Sequence, residues 1–295
     1  MIIEYKIASL AETEDYEIRV VGAPKTIDND LVRTDHCPGY GSAARFIALA
    51  TMDAGRDLEA MCTFDKVTIL ETMGRNAGWL TAASVLGKRD PRDSPHLVYV
   101  PERPLDEAVF LKRVQEIYED LGYVFVVVCE GVRDSSGRFV VEAGRPVQTD
   151  AFGHQLVTLT SGTAHYLAGR VREELGLQAR HVKPDTIQRS SSACASGADR
   201  EEAHRCGAAA VAHAVKGDVG AMVTLIREPG PEYRCRTGLA PLEEVANAQR
   251  TLPDEFITQE GDFVTDAFRA YALPLIGDPL PEYARLDMPR VTREL

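Results

Sequence analysis

Short β-branched and apolar runs alternate with segments of helical period along most of this chain, a pattern that points to an α/β fold with mainly parallel sheets. The runs fall at residues 16–21, 66–71, 96–100, 123–129 and 221–226. Between them the 3.6-residue period predicts helices. One begins near Ser42, read as an N-cap, with Phe46, Ile47 and Ala50 on one face. Others cover 76–86, 106–121, 155–175 and 199–215, the last placing Ala203, Ala210 and Ala214 near one face that suits a sheet. Beyond Glu228, Pro229, Gly230, Pro231, Pro274, Pro279 and Pro281 predict a tail that wraps a finished core. Residues 134–138 read as a polar turn.

Composition narrows the function classes. The net charge of −12 argues against nucleic acid or an anionic membrane as the main partner. Local arginines can still reverse the field within a cleft. No apolar run approaches the roughly 18 residues that span a bilayer. The opening MIIEYKIASLAETEDYE turns acidic early and does not read as a secretory signal. Cys37, Cys62, Cys129, Cys194, Cys206 and Cys235 include no C-x-x-C pair and no zinc spacing, so they read as free thiols in a reducing, cytoplasmic setting.

Four clusters could carry chemistry, and each has a blander reading. PKTIDND, residues 24–30, places Asp28 and Asp30 after a strand, where open α/β sheets bind ligands. One carboxylate can take a proton while the other serves a metal; a solvated Asx-type turn explains the same residues. ETMGRNAGWL, residues 71–80, puts Gly74 and Arg75 at a strand–loop–helix junction suited to an anion, or is a plain helix entry. Trp79 reads as core. Glu130 follows an apolar strand and can bind sugar hydroxyls or face water. Arg180, Lys183 and Arg189 lie on an extended segment; two arginines converging on one phosphate compete with an ordinary solvated basic face. No G-x-G-x-x-G follows a strand, which leaves a nucleotide-binding oxidoreductase poorly supported.

Taken in order, PKTIDND, GYGSAARF, ETMGRNAGWL, CEG, TIQRS and PLIGDPLPEYARL resemble the 6-phosphofructokinase family nearly end to end. The resemblance implies two interleaved Rossmann-like domains. Residues 1–40 and 188–238 would be the remnant of the phosphate-donor domain, and 41–187 with 239–295 the fructose 6-phosphate domain. It implies phosphoryl transfer to the carbon-1 hydroxyl of fructose 6-phosphate with Mg2+, giving fructose 1,6-bisphosphate in glycolysis. Asp28 matches the family's general base, and Asp30 the neighbouring carboxylate with an indirect metal contact. Thr26, Met73, Gly74 and Arg75 match sugar-phosphate contacts, and Glu130 matches the acid that holds sugar hydroxyls. Arg180 and Arg189 match cations around the 6-phosphate, some of which the family supplies from a neighbouring subunit. Lys66 falls where ATP-dependent bacterial relatives carry another such arginine. Thr186 stands where relatives often have His or Tyr and carries no assigned role.

Lys25 directly precedes TIDND, as in the pyrophosphate-dependent branch, although some ATP-using relatives share it. The family's opening glycine-rich loop and its Gly-Gly-Asp loop have no counterpart here, so the first domain reads as truncated at its N-terminus. Little turnover is then expected without the missing segment. A truncated or split gene fits, and so does a non-catalytic sugar-phosphate-binding or subunit-interaction remnant. Exposed sheet edges and apolar surface are expected in either case. The family implies a homodimer or homotetramer.

Overall fold

The computed structural model describes residues 2–142, 148–149, 155–156, 162–246 and 248–285. Its strands are β1 (Val21–Gly22), β2 (Val67–Thr72), β3 (Leu97–Tyr99), β4 (Val124–Cys129), β5 (Gln148–Thr149), β6 (Gln155–Leu156), β7 (Ala179–Val182), β8 (Ala221–Arg227) and β9 (Cys235–Pro241). The helices are α1 (Ile2–Thr13), α2 (Tyr40–Ala60), α3 (Trp79–Ala83), α4 (Glu107–Leu121), α5 (Thr163–Leu175), α6 (Gly197–Lys216), α7 (Leu242–Val245) and α8 (Asp266–Ala272).

The fold is α/β. The larger sheet runs β3-β4-β2-β7 with every pairing parallel. All residues of β2 and β4 are buried, as expected of parallel strands covered on both faces. Alternation then assigns the faces. Val124, Val126 and Val128 meet Phe110 and Val114 of α4 and Leu167 and Val171 of α5. Phe125 and Val127 meet Leu70 and Leu58, the latter on α2. The smaller sheet, β1-β8-β9, has β1 parallel and β9 antiparallel to β8. β1 is an edge strand, and Ile3, Leu10, Tyr16 and Val215 are exposed. No helix among the described residues is long and apolar enough to cross a membrane.

Helix ends follow local chemistry. The Asp106 side chain accepts from Val109 N at 3.0 Å to start α4, and Gly122, at φ 83°, ends it. The start of α2 differs from the expectation of a Ser42 cap. Its N-cap is Gly39, and the orphan N–H groups of Gly39 and Ser42 donate to the Asp199 carboxylate of α6 at 2.7 and 3.0 Å. Ser42 Oγ donates to the same carboxylate at 2.5 Å. Asp199 thus caps α2 from a distant element.

Other expectations change too. Of residues 16–21 only Val21 enters a strand, because β1 finds just two residues of partner on β8. The helix expected over 76–86 is the short α3 followed by a 3-10 turn, Ser84–Gly87. Of the helix expected over 155–175, Gln155–Leu156 is strand and 163–175 is α5; 157–161 lie outside the described residues. On α6, Glu202 and Cys206 face inward while Ala203 is exposed, because the buried stripe meets a polar cluster as well as Val223 and Leu225. The supposed tail includes β9, which pairs along all of β8. The cysteines are free, and Trp79 is buried in the core.

Candidate active site

Residues 24–30 leave the end of β1 and turn back sharply. Asn29 sits at φ 56°, a left-handed conformation that asparagine tolerates. Its side chain accepts from Cys37 N at 2.9 Å and donates to the Tyr271 hydroxyl at 3.0 Å. Thr26 Oγ1 accepts from Asp28 N at 3.1 Å. Arg250 fixes the rest: its guanidinium donates to the carbonyls of Asn29 at 2.9 Å and Thr34 at 3.0 Å, and also to that of Asp35. It lies 4.4 Å from the Trp79 ring centroid. Arg250 N donates to Asp30 O at 2.7 Å, and Gln249 Nε2 to Asp30 Oδ2 at 3.0 Å. Asp28 and Asp30 are therefore presented by a loop whose backbone is tied down on both sides.

Burial raises the proton affinity of Asp28 above its ordinary value, and the charge of Asp30 raises it further. Lys25 and Arg189 oppose that rise, which puts both cations within electrostatic reach of the carboxylate. Arg189 comes from a 3-10 turn, Asp185–Arg189, beyond β7.

The second wall is the turn after β2. Gly74 takes φ 139°, and its N–H donates to Glu130 Oε1 at 3.3 Å. Met73 N donates to Gln188 Oε1 at 3.0 Å, linking this turn to the segment that carries Arg189. Thr163 Oγ1 donates to Glu130 O at 3.1 Å. Burial raises the pKa of Glu130; the Gly74 bond lowers it, Glu71 raises it, Lys183 lowers it and Asp28 raises it. Arg75 is exposed.

Gly131 lies flat against this turn, and a Cβ there would overlap the Arg75 carbonyl. Gly131→Ala should destabilise the chain by about 1–3 kcal/mol. Urea denaturation measures this, and an unchanged midpoint would show that the turn has slack.

Asp28, Asp30, Lys25, Thr26, Met73, Gly74, Glu130 and Arg189 therefore belong to one neighbourhood at the carboxyl ends of β1, β2 and β4. Arg180 and Lys66 do not. Arg180 pairs in register with Thr68 near the start of β2 and is bound to Asp65 at 2.7 Å. Lys66 precedes β2 and donates to Cys62 O at 2.5 Å. From Thr68 to Met73 the strand advances roughly 16 Å. Arg180 and Arg189 hence lie toward opposite ends of the larger sheet.

Sequence reading missed Arg250 and Gln249, which lie in a loop-rich stretch with no motif of their own, and Gln188, which stands within TIQRS but was given no role. It also missed His36. That ring is buried between Asp35 Oδ2 at 2.8 Å and Glu202 Oε2 at 2.6 Å, and Tyr233 donates to Glu202 Oε1 at 2.5 Å. Arg227 ion-pairs with Asp35 at 3.1 Å, and Arg205 lies 3.5 Å from Glu202. Burial alone would lower the His36 pKa, but the two carboxylates prevail and raise it above the ordinary 6.5. Its stabilisation is complete below that value and lost as pH rises through the raised pKa. The Tm difference between wild type and His36→Gln should shrink as pH rises above 6.5 and through the raised pKa. A difference constant across that window would exclude a charged clamp.

The chain resembles known proteins in sequence and in fold. A family model described as phosphofructokinase matches residues 4–214. The chain is 40% identical to the pyrophosphate–fructose 6-phosphate 1-phosphotransferase of Xanthomonas campestris pv. campestris, over 98% of this chain and 71% of that protein. It is 38% identical to the protein of the same name from Halomonas elongata, covering 98% and 70%. The crystal structure of a pyrophosphate-dependent phosphofructokinase from Marinobacter aquaeolei superposes with a TM-score of 0.80 at 37% identity, covering 98% of this chain and 68% of that one. This chain spans about seven tenths of the length of these relatives.

Proposed function

The chain belongs to the phosphofructokinase family, and from that premise we propose that it transfers a phosphoryl group from pyrophosphate to the carbon-1 hydroxyl of fructose 6-phosphate. The observation that carries this reading is Asp28: a partly buried carboxylate of raised proton affinity, beside Asp30 and within reach of Lys25 and Arg189.

Asp28 takes the proton of the attacking hydroxyl as the oxygen forms its bond to phosphorus. The bridging P–O bond of pyrophosphate breaks, and orthophosphate leaves. Lys25 neutralises negative charge that develops on the transferring group. Glu130, held by Gly74 N, accepts sugar hydroxyls, and Met73, Gly74 and Arg75 line the sugar phosphate. Arg189 faces the 6-phosphate. Arg180 and Lys66, at the far end of the sheet, reach a 6-phosphate only in the site of a second copy, which makes the working unit a homodimer or a multiple of it. On this reading the larger sheet belongs to the sugar-phosphate domain, 41–187 with 239–295, and the acidic loop to the donor domain, 1–40 with 188–238.

Magnesium fits the acidic loop. Two hard carboxylates stand close enough for Asp30 to raise the Asp28 pKa, and Mg2+ characteristically combines one or two carboxylates with substrate phosphates. Asp30 would hold it, and the bound ion would offset charge on the phosphates.

Purified chain with fructose 6-phosphate and magnesium, assayed for fructose 1,6-bisphosphate with pyrophosphate or ATP, tests the proposal. Turnover with pyrophosphate supports it, and turnover with ATP alone reassigns the donor. Binding of fructose 6-phosphate without turnover leaves a sugar-phosphate-binding protein.

A further inference from the structure

Behind Glu130 stands an ion pair, buried at its carboxylate end, that the reaction scheme does not use. Glu71, next to last in β2, is 2% exposed, yet its carboxylate is held rather than free. Ala164 N, in the first turn of α5, donates to Oε2 at 2.9 Å. Lys183 Nζ lies 2.8 Å from Oε1. Gly162 leaves the space this carboxylate fills, since a Cβ there would overlap both of its oxygens. Lys183 directly follows Val182, the last residue of β7, whose register partner is Leu70 of β2. The pair therefore ties together the ends of β2 and β7 and the start of α5. Thr163, beside Ala164, donates to the Glu130 carbonyl, so the same corner holds the backbone of the sugar-facing acid.

Resting on the sugar-phosphate reading above, we propose that Lys183 is a positioning residue for sugar binding: its ammonium lets Glu71 and Glu130 stand side by side as acceptors. Without it, the buried Glu71 carboxylate would lose its ion-pair partner, with the titratable His181 of β7 also within reach of its charge, and the Asp28 carboxylate also acts on Glu130. Glu130 would then take a proton at higher pH and cease to accept hydroxyls. The electrostatic influences on Glu130 agree in sign: Glu71 and Asp28 favour its protonation, and Lys183 opposes it.

The test is calorimetric titration of the full chain with fructose 6-phosphate from about pH 5 to pH 9. Lys183→Met should move the acid limb of affinity upward by about one pH unit, and so weaken binding about tenfold at pH below that limb, as expected for loss of one nearby charge. Lys183→Arg should restore both. A Lys183→Met protein with wild-type affinity and an unmoved acid limb would overturn the assignment. Should that variant not fold, the Glu71→Gln, Lys183→Met double variant removes both charges and should keep the wild-type acid limb; an upward shift there would equally overturn it. A wild-type chain that binds no fructose 6-phosphate at any pH overturns the sugar-phosphate reading itself, and this inference with it.

Discussion

Asp28→Asn should reduce turnover by about 10²–10⁴-fold while leaving the KM for fructose 6-phosphate nearly unchanged. Asparagine keeps the shape of the side chain, so the loop held by Arg250 and Tyr271 has no reason to move. What disappears is the proton acceptor. Burial raises the pKa of Asp28, so the wild-type rate should fall with acid as Asp28 takes up its proton. In the variant that limb should disappear from the residual rate. Steady-state kinetics across pH measures both effects. A variant with full turnover would remove Asp28 from the chemistry.

Arg250→Ala should produce the largest structural effect. Its guanidinium satisfies the carbonyls of Asn29, Thr34 and Asp35 and lies over Trp79. The Asp35 carbonyl keeps the Tyr271 hydroxyl at 2.8 Å, but those of Asn29 and Thr34 lose this donor, at about 1–3 kcal/mol each where water cannot replace it. A loss of roughly 3 kcal/mol follows. Because the same loop carries Asp28 and Asp30, turnover should also fall about a hundredfold in protein that remains folded. Arg250→Lys keeps the charge without the planar fork and should recover only part of either loss. Denaturation and kinetics on the same preparations separate the two effects. Lost stability with intact turnover would make Arg250 a structural residue alone.

How much of this was legible in the sequence depended on how local each cause is. β4 was readable because a strand buried on both faces favours an unbroken apolar run, which 124–129 supply, and β2 because Val67, Thr68, Ile69 and Leu70 form a β-branched and apolar run. α4 was readable because Asp106 and Gly122 carry its ends. Residues 16–20 look equally strand-like, but a strand needs a partner, and β8 offers β1 only two residues. Ser42 has the chemistry of a cap, but Asp199 takes that place from another helix. The site divides along the same line. Asp28, Gly74 and Glu130 stand in contiguous motifs, whereas Arg250 acts across 221 residues of sequence on Asn29. Arg180 and Arg189 are close in sequence, yet the chain from one runs up β7 toward the other, so proximity in the motif did not mean proximity in space.

The remote cap on α2 bears on how the protein is made. Ser42 and Asp199 are 157 residues apart, so a nascent chain emerging from the ribosome has synthesised all of α2, and the larger sheet behind it, before the cap exists. Until then the first turn of α2 has only water for the amides of Gly39 and Ser42, and its start stays frayed. The site loop immediately before this helix therefore acquires its final shape late.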